Sequence, residues 1–217
     1  MKSTTKWKLA QQLEIRWWKN YLGKKNPTDY IAWKKAYWTQ FLSQLSAHLP
    51  QFQHLNILDA GCGPAGINLV LEGNQVDALD PLLDKYKELP HFQPEATPWV
   101  HFLHQPLETL NASDKYDLIF CLNAINHVSD LPLCYTNLVK SLKPGGKIVV
   151  STDAHNHSIL KHLFRLIPGD ALHPHQYDLK EYESFLAENG IQITETLTFD
   201  KGFIFNYVVT VGEKVNS

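Results

Sequence analysis

The chain has 217 residues, is 44% hydrophobic and carries a formal net charge of −2, enough for one large domain, or one domain with an elaboration, around a sizeable core. No apolar run approaches the ~20 residues of a membrane span, and the N-terminus MKSTTKWKLAQQLE lacks the apolar segment of a secretory signal. Cys62, Cys121 and Cys134 are odd in number and lack C-x-x-C spacing, so they read as reduced thiols of a cytoplasmic protein.

Residues 4–22 predict a helix. Trp7, Ala10, Leu13, Trp17, Trp18 and Tyr21 approximate a 3.6-residue stripe, broken by Glu14, and Gly23 ends it. Asn26-Pro27-Thr28-Asp29 starts a second helix with Pro just inside the beginning. It runs to about Leu49, before Pro50, with Tyr30, Trp33, Tyr37, Trp38, Phe41, Leu42 and Leu45 along its stripe. Five of the six tryptophans fall in residues 1–49, too many for a tail, so residues 1–50 are expected to form a helical cap on a domain spanning 51–217. Residues 1–49 hold nine Lys/Arg against two acids, and the remainder holds eleven against twenty. Packing on the acidic body, closing over a ligand and attachment to a membrane surface are the readings of this segment. The last ranks lowest, because the lysines interleave with the aromatic stripe.

Strands and helices then alternate. Strands are predicted at Asn56–Asp59, Val76–Asp80, Trp99–His104, Tyr116–Leu122 and Lys147–Thr152. Helices are expected at Ala65–Leu71, Leu82–Glu88 and Leu131–Leu142. This alternation means a parallel sheet covered on both faces. Residues 153–177 are rich in His and Pro and read as a lid, followed by a helix at Leu179–Asn189. Ile191–Thr198 and Phe203–Val211 flank Asp200-Lys201-Gly202 as a terminal antiparallel hairpin. The expected fold class is α/β: a Rossmann-like, doubly wound sheet of seven strands, mostly parallel.

The most informative stretch is ILDAGCGPAG at 57–66, followed by VDALDP at 76–81. Asp59 ends one strand, Gly61 and Gly63 turn the backbone, and the next strand delivers Asp80. A carboxylate beside a glycine loop at the carboxyl edge of a parallel sheet is where doubly wound folds bind nucleosides. Gly61-Cys62-Gly63-Pro64-Ala65-Gly66 matches G-x-G-x-x-G, a weak signal alone. An acid two residues before Gly61, about fifty preceding residues and a terminal hairpin all argue against a dinucleotide enzyme.

Four ordered blocks resemble class I S-adenosylmethionine (SAM)-dependent methyltransferases. ILDAGCGPAG is similar to the first SAM motif and VDALDP to the acidic ribose block. YDLIFCLNAINHVSD at 116–130 and LKPGGKIVVST at 142–152 are similar to the fourth-strand and fifth-strand blocks. The resemblance covers residues 52 to 211, and the last two blocks look most like the ubiquinone-biosynthesis O-methyltransferase branch.

The resemblance implies SAM as cofactor and a methyl transfer to an O- or N-nucleophile of a small-molecule acceptor. Asp80, followed by Pro81, would accept hydrogen bonds from the ribose hydroxyls, or else cap the next helix. Asp59 would hold the methionine amino group or brace the glycine loop. Gly61 and Gly63 would lie against the cofactor, with Cys62 contributing backbone. The family often has an acid for adenine after the third strand; here Gln105-Pro106 stands there, so Gln105 and the backbone of Leu107 become the candidates. Leu122 and Asn123 would lie under the methionine portion. His127 would serve as general base or orient the acceptor, or else is a structural histidine. Asn156, His173, His175 and Tyr177 in the lid, and Trp33 and Tyr37 in the cap, are candidate acceptor contacts. His155-x-His157 and His173-Pro-His175 lack zinc-site spacing, and no metal is expected.

The rivals are a nicotinamide oxidoreductase and a non-catalytic partner protein on the same fold. Nucleic acid is not expected as a partner, with a pI near 6.6 and no basic stripe beyond the N-terminal helices. The acceptor stays unnamed, and the chain reads as a monomer or a homodimer.

Overall fold

The computed structural model describes residues 5–155, 177–202 and 205–215. Two helices, α1 (Thr5–Leu22) and α2 (Pro27–Leu45), precede the sheet. Asn26 caps α2 by accepting the N–H groups of Thr28 and Asp29. The strands are β1 (Asn56–Ala60), β2 (Gln75–Leu79), β3 (Val100–Leu103), β4 (Tyr116–Leu122), β5 (Leu142–His155), β6 (Ile191–Lys201) and β7 (Phe205–Lys214). Between them lie α3 (Leu83–Tyr86), α4 (Leu131–Ser141) and α5 (Leu179–Glu188).

The seven strands are ordered β3-β2-β1-β4-β5-β7-β6, the first five parallel. β7 enters antiparallel between β5 and β6. This is the expected α/β class, with the hairpin where the alternating pattern placed it. Strand period two divides the core. Leu58, Ala60, Ile119, Cys121, Ile148 and Val150 face α4 and α5. Ile57, Val76, Leu118, Phe120, Val149, Val209 and Val211 face the other way, onto Trp38, Phe41 and Leu45 of α2. Burying each such side chain contributes roughly 1.5–3 kcal/mol. α2 is therefore one of the covering layers, and Trp38 Nε1 donates to the Ala65 carbonyl at 3.1 Å. All three cysteines are buried and free.

Several elements differ from expectation: α2 stops at Leu45 rather than about Leu49, and β6 runs through Asp200 and Lys201, expected in the turn. The helix predicted at 65–71 is only a 3-10 turn, Ile67–Val70. Asn68 is drawn to Asp59 there, and the turn at Gly73 starts β2 soon after. β5 begins five residues early, pairing Leu142 with Tyr116 across an irregularity in the register.

Asp77 in β2 binds three neighbouring elements. His101 of β3 is 3.0 Å away, and Lys115 and the Tyr116 hydroxyl reach it from the head of β4. Burial pushes its carboxyl up, but these three partners outweigh that and hold it below the usual range. Its stabilisation is present above the ordinary carboxylate pKa and is lost as pH falls through the lowered one. Asp77→Asn is expected to cost about 1–3 kcal/mol in urea denaturation at pH 7. The difference from wild type should shrink in strong acid.

Candidate active site

A cavity of about 640 Å³ opens at the carboxyl ends of the parallel strands. Its size suits a small-molecule site, for which ~300–1,000 Å³ is usual. The floor is the Gly61–Gly66 loop after β1 and Leu79–Pro81 at the end of β2. One wall is Pro106–Glu108, another Leu122–Val128, and Asp153 and Tyr207 close the far side. α1 and α2 form the roof.

The floor is built by two buried carboxylates. Asp59 Oδ2 accepts the Asn68 N–H at 3.1 Å and the Asn68 amide at 2.7 Å. Asp80 Oδ2 accepts the Gly63 N–H at 2.9 Å, and its Oδ1 accepts the Leu82 N–H at 2.8 Å. Burial pushes both carboxyls up to about 6, opposed by these hydrogen bonds. A carboxylate has about four acceptor positions. Asp80 therefore caps the start of the next turn and still has capacity for hydroxyls from the cavity. Gly61 has φ +78°, and a Cβ there would strike Ala124. Gly63, at φ +58°, turns its N–H onto Asp80.

At the end of β4 the chain turns through Asn123, at φ +51°. Its N–H donates to the carbonyl and the Oγ of Ser151, at 3.1 and 3.0 Å. The Tyr207 hydroxyl donates to the same Oγ at 3.0 Å, and Tyr37 of α2 stands beside Tyr207. Contacts thus run from α2 through β7 and β5 to the turn after β4. His127 follows in the 3-10 turn Ile125–His127 and lines the cavity.

The roof is aromatic with two charges. Trp7, Trp17 and Trp18 come from α1, and Trp33, Tyr37 and Trp38 from α2. Glu14 stands among them. Burial, and then the charge of Asp80, push its carboxyl up to about 7 against a bond from Trp18. Lys34 Nζ lies 4.3 Å from the Trp38 ring centre and 5.1 Å from that of Tyr37. Burial pushes its ammonium down to about 8, opposed by the Asp59 charge. Gln11 Nε2 and Asn126 Oδ1, both on lining residues, are buried without a hydrogen-bond partner. Such atoms cost ~1–3 kcal/mol each unless a ligand meets them.

Of the residues singled out in the sequence, Gly61, Cys62, Gly63, Asp80, Pro81, Leu107, Leu122, Asn123, His127, Trp33 and Tyr37 line this cavity. Asp59 lies behind the loop, on Asn68. Gln105 is not a lining residue: its N–H folds back on the Leu103 carbonyl, and the turn Pro106–Glu108 takes the wall. Tyr177 packs edge-on against Tyr182 and Phe185 of α5 instead of lining the cavity. Asn156, His173 and His175 lie outside the described residues, as does most of the expected lid.

Sequence reasoning missed Gln11, Glu14, Lys34, Glu108 and Asn126 as lining groups. Two left a signal: Glu14 interrupts an apolar stripe, and Lys34 follows Tyr30 by four residues on another. Glu108 supplies an acid three residues beyond Gln105. Its Oε1 accepts the Ser129 N–H and hydroxyl, at 2.6 and 2.7 Å. Among the described residues no His/Cys/Asp/Glu cluster could hold a metal ion.

Because the Glu14 carboxyl is raised in the folded state, its protonated form is the favoured one there. The stability it allows is complete below the unfolded value and is lost as pH rises through about 7. Glu14→Gln should therefore raise the melting temperature at pH 8 and change it little at pH 4, read by differential scanning calorimetry.

A family model described as a methyltransferase domain matches residues 30–196. A ubiquinone biosynthesis O-methyltransferase of Rickettsia bellii is 29% identical over 177 residues, covering 76% of this chain and 71% of the relative. That of Rickettsia typhi is 27% identical over 203 residues, covering 81% and 80%. Among solved structures, the 1,6-didemethyltoxoflavin-N1-methyltransferase of Burkholderia thailandensis, with bound 1,6-didemethyltoxoflavin and S-adenosylhomocysteine, superposes with a TM-score of 0.65 at 16% identity. It covers 100% of this chain and 93% of its own. The cyclase SpnF superposes at 0.64 and 12% identity, covering 82% and 81%. These structural likenesses show the fold. With β7 antiparallel, the sheet also departs from the parallel order of dinucleotide enzymes. By its family model, its curated relatives and its fold, the chain belongs to the methyltransferase domain family, as a SAM-dependent methyltransferase.

Proposed function

We propose that this enzyme methylates a hydroxyl of a planar, largely apolar small molecule. The reading rests on one juxtaposition: Asp80, fixed through both oxygens on the cavity floor, faces a roof of five tryptophans and Tyr37. The first side suits a ribose diol and the second a flat apolar ring. The O-methyltransferase relatives support oxygen over nitrogen as the acceptor atom.

The cofactor fits the groups present: a polar floor with spare acceptor capacity, a loop whose Gly61 position no Cβ could occupy, and unpartnered polar atoms on lining residues. When bound, it supplies an electrophilic methyl on a sulfonium that leaves as a neutral thioether. Asp80 would hold the ribose hydroxyls. The Gly61–Gly63 backbone and Lys34 would hold the methionine end, Lys34 toward its carboxylate, and Leu107 and Glu108 would flank the adenine. The aromatic roof would exclude water and stack the acceptor ring, and His127 would take the proton of the acceptor hydroxyl. Alignment alone can supply up to ~7–11 kcal/mol.

Calorimetric titration tests the cofactor part. Wild type should bind S-adenosylhomocysteine and not NADH, and Asp80→Ala should weaken binding about tenfold or more, the loss expected from hydrogen bonds to a charged group. Unchanged affinity in Asp80→Ala overturns the assignment. With an acceptor in hand, His127→Gln should lower kcat by about 10²-fold or more with little change in the KM for the cofactor. A proportionate change in both would make His127 a structural residue.

A further inference from the structure

We propose that the outward face of α1 docks the enzyme on an anionic lipid surface, with the rim of the cavity turned toward it. Leu9, Leu13 and Trp17 recur at i, i+4 and i+8 and are 50%, 38% and 49% exposed. They form a ridge of large apolar side chains along the solvent side of the helix. Trp33 of α2, 52% exposed, adds a fourth. Trp17 and Trp33 also line the cavity, so the ridge runs into its rim.

The charges sort around this ridge. On a helical wheel the inward half of α1 carries Ala10, Glu14, Trp18 and Leu22, and its one acid is the Glu14 of the cavity. The exposed half carries Lys8 and Arg16 beside the ridge, Lys19 paired with Glu88 at 2.6 Å, and Gln12 and Asn20, with no acid of its own. Lys24, Lys25 and Lys35 are exposed nearby. The interleaving of lysines and aromatics in the linear sequence therefore resolves once the helix is folded: one stripe faces the protein, a second faces out, and the cations flank the second. That correction reverses the low rank given to membrane attachment.

Basic residues beside Trp and Leu on one exposed face are what an interfacial helix presents. Tryptophan favours the headgroup level, and each Lys or Arg near an anionic surface adds attraction. Residues 1–49 carry a net +7 while the remainder carries −9, so the field is directed as well as attractive. A second copy is the poorer occupant, because a two-fold contact sets this basic face against itself. Among the described residues no helix is long and apolar enough to cross a membrane, so α1 lies on the surface. The docking rests on α1 alone. Its consequence for the acceptor rests on the methylation reading above: the substrate class becomes an amphiphile whose ring enters from the lipid side.

The test is cosedimentation of the full chain with phosphatidylcholine vesicles, with and without phosphatidylglycerol. Anionic vesicles should bind about tenfold or more tightly than neutral ones, and added salt should weaken the binding. The double variants Leu9→Gln/Leu13→Gln and Lys8→Glu/Arg16→Glu should each lose about tenfold in binding. None of these four residues lines the cavity, so affinity for S-adenosylhomocysteine should be unchanged, which also reports that the variants fold. Wild type left in the supernatant overturns the proposal, as do variants that bind like wild type. So does a dimer by light scattering that Leu9→Gln/Leu13→Gln converts to monomer. Vesicle binding without S-adenosylhomocysteine binding would sustain the docking and remove the methylation reading of the site.

Discussion

The burial of Asp59 and Asp80 at the ends of adjacent strands is the constraint on which the rest of the site depends. A carboxylate out of water is costly unless hydrogen bonds replace its hydration. Here the donors are chain N–H groups and one amide: Asn68 for Asp59, Gly63 and Leu82 for Asp80. Satisfying two anions fixes the path of the loop between them. It also forces Gly61 and Gly63 into left-handed backbone and shortens the crossover to a single 3-10 turn. The binding surface is therefore set by internal satisfaction, before any ligand arrives.

A floor so rich in carboxylate has to be balanced from above. Glu14 adds to the negative potential, and its pKa is raised first by burial and then by the charge of Asp80. Lys34, banked on aromatic rings, offsets it. A cofactor that carries an ammonium, a sulfonium and a carboxylate meets complementary groups in such a place. The acceptor meets mostly rings. The division of the cavity into a polar half and an aromatic half mirrors the division of labour between a β-sheet edge, which presents backbone dipoles and strand-end acids, and helix faces, which present large side chains.

Much of this was legible in the sequence. β4 was predicted to the residue, because a near-continuous apolar run, broken only by Asp117, suits a strand buried in a parallel sheet. The glycine loop, Asp80 and the terminal hairpin were equally clear, being punctuated by Gly and acid at strand ends. Other features depend on partners far along the chain. The helix expected at 65–71 fails because Asp59, nine residues earlier, takes the N–H of Asn68. Leu13 and Trp17 look like core in a linear stripe, but Leu13 faces out and Trp17 reaches only the cavity rim, while Glu14 and Trp18 turn inward. Tyr177 reads as a cavity residue until α5 offers it Tyr182 and Phe185. Periodicity reports that a face is apolar; which solvent it meets is decided in three dimensions.

The line of contacts from Tyr37 through Tyr207 and Ser151 to Asn123 joins the second helix to the penultimate strand in space. Tyr207 belongs to a strand that inserts between β5 and β6, both made before it. During synthesis, therefore, the glycine loop and Asp80 can assemble while the far wall of the cavity is still inside the ribosome. Such long-range closure is slow relative to local structure. The cavity is therefore complete only after the strand that carries Tyr207 has been made.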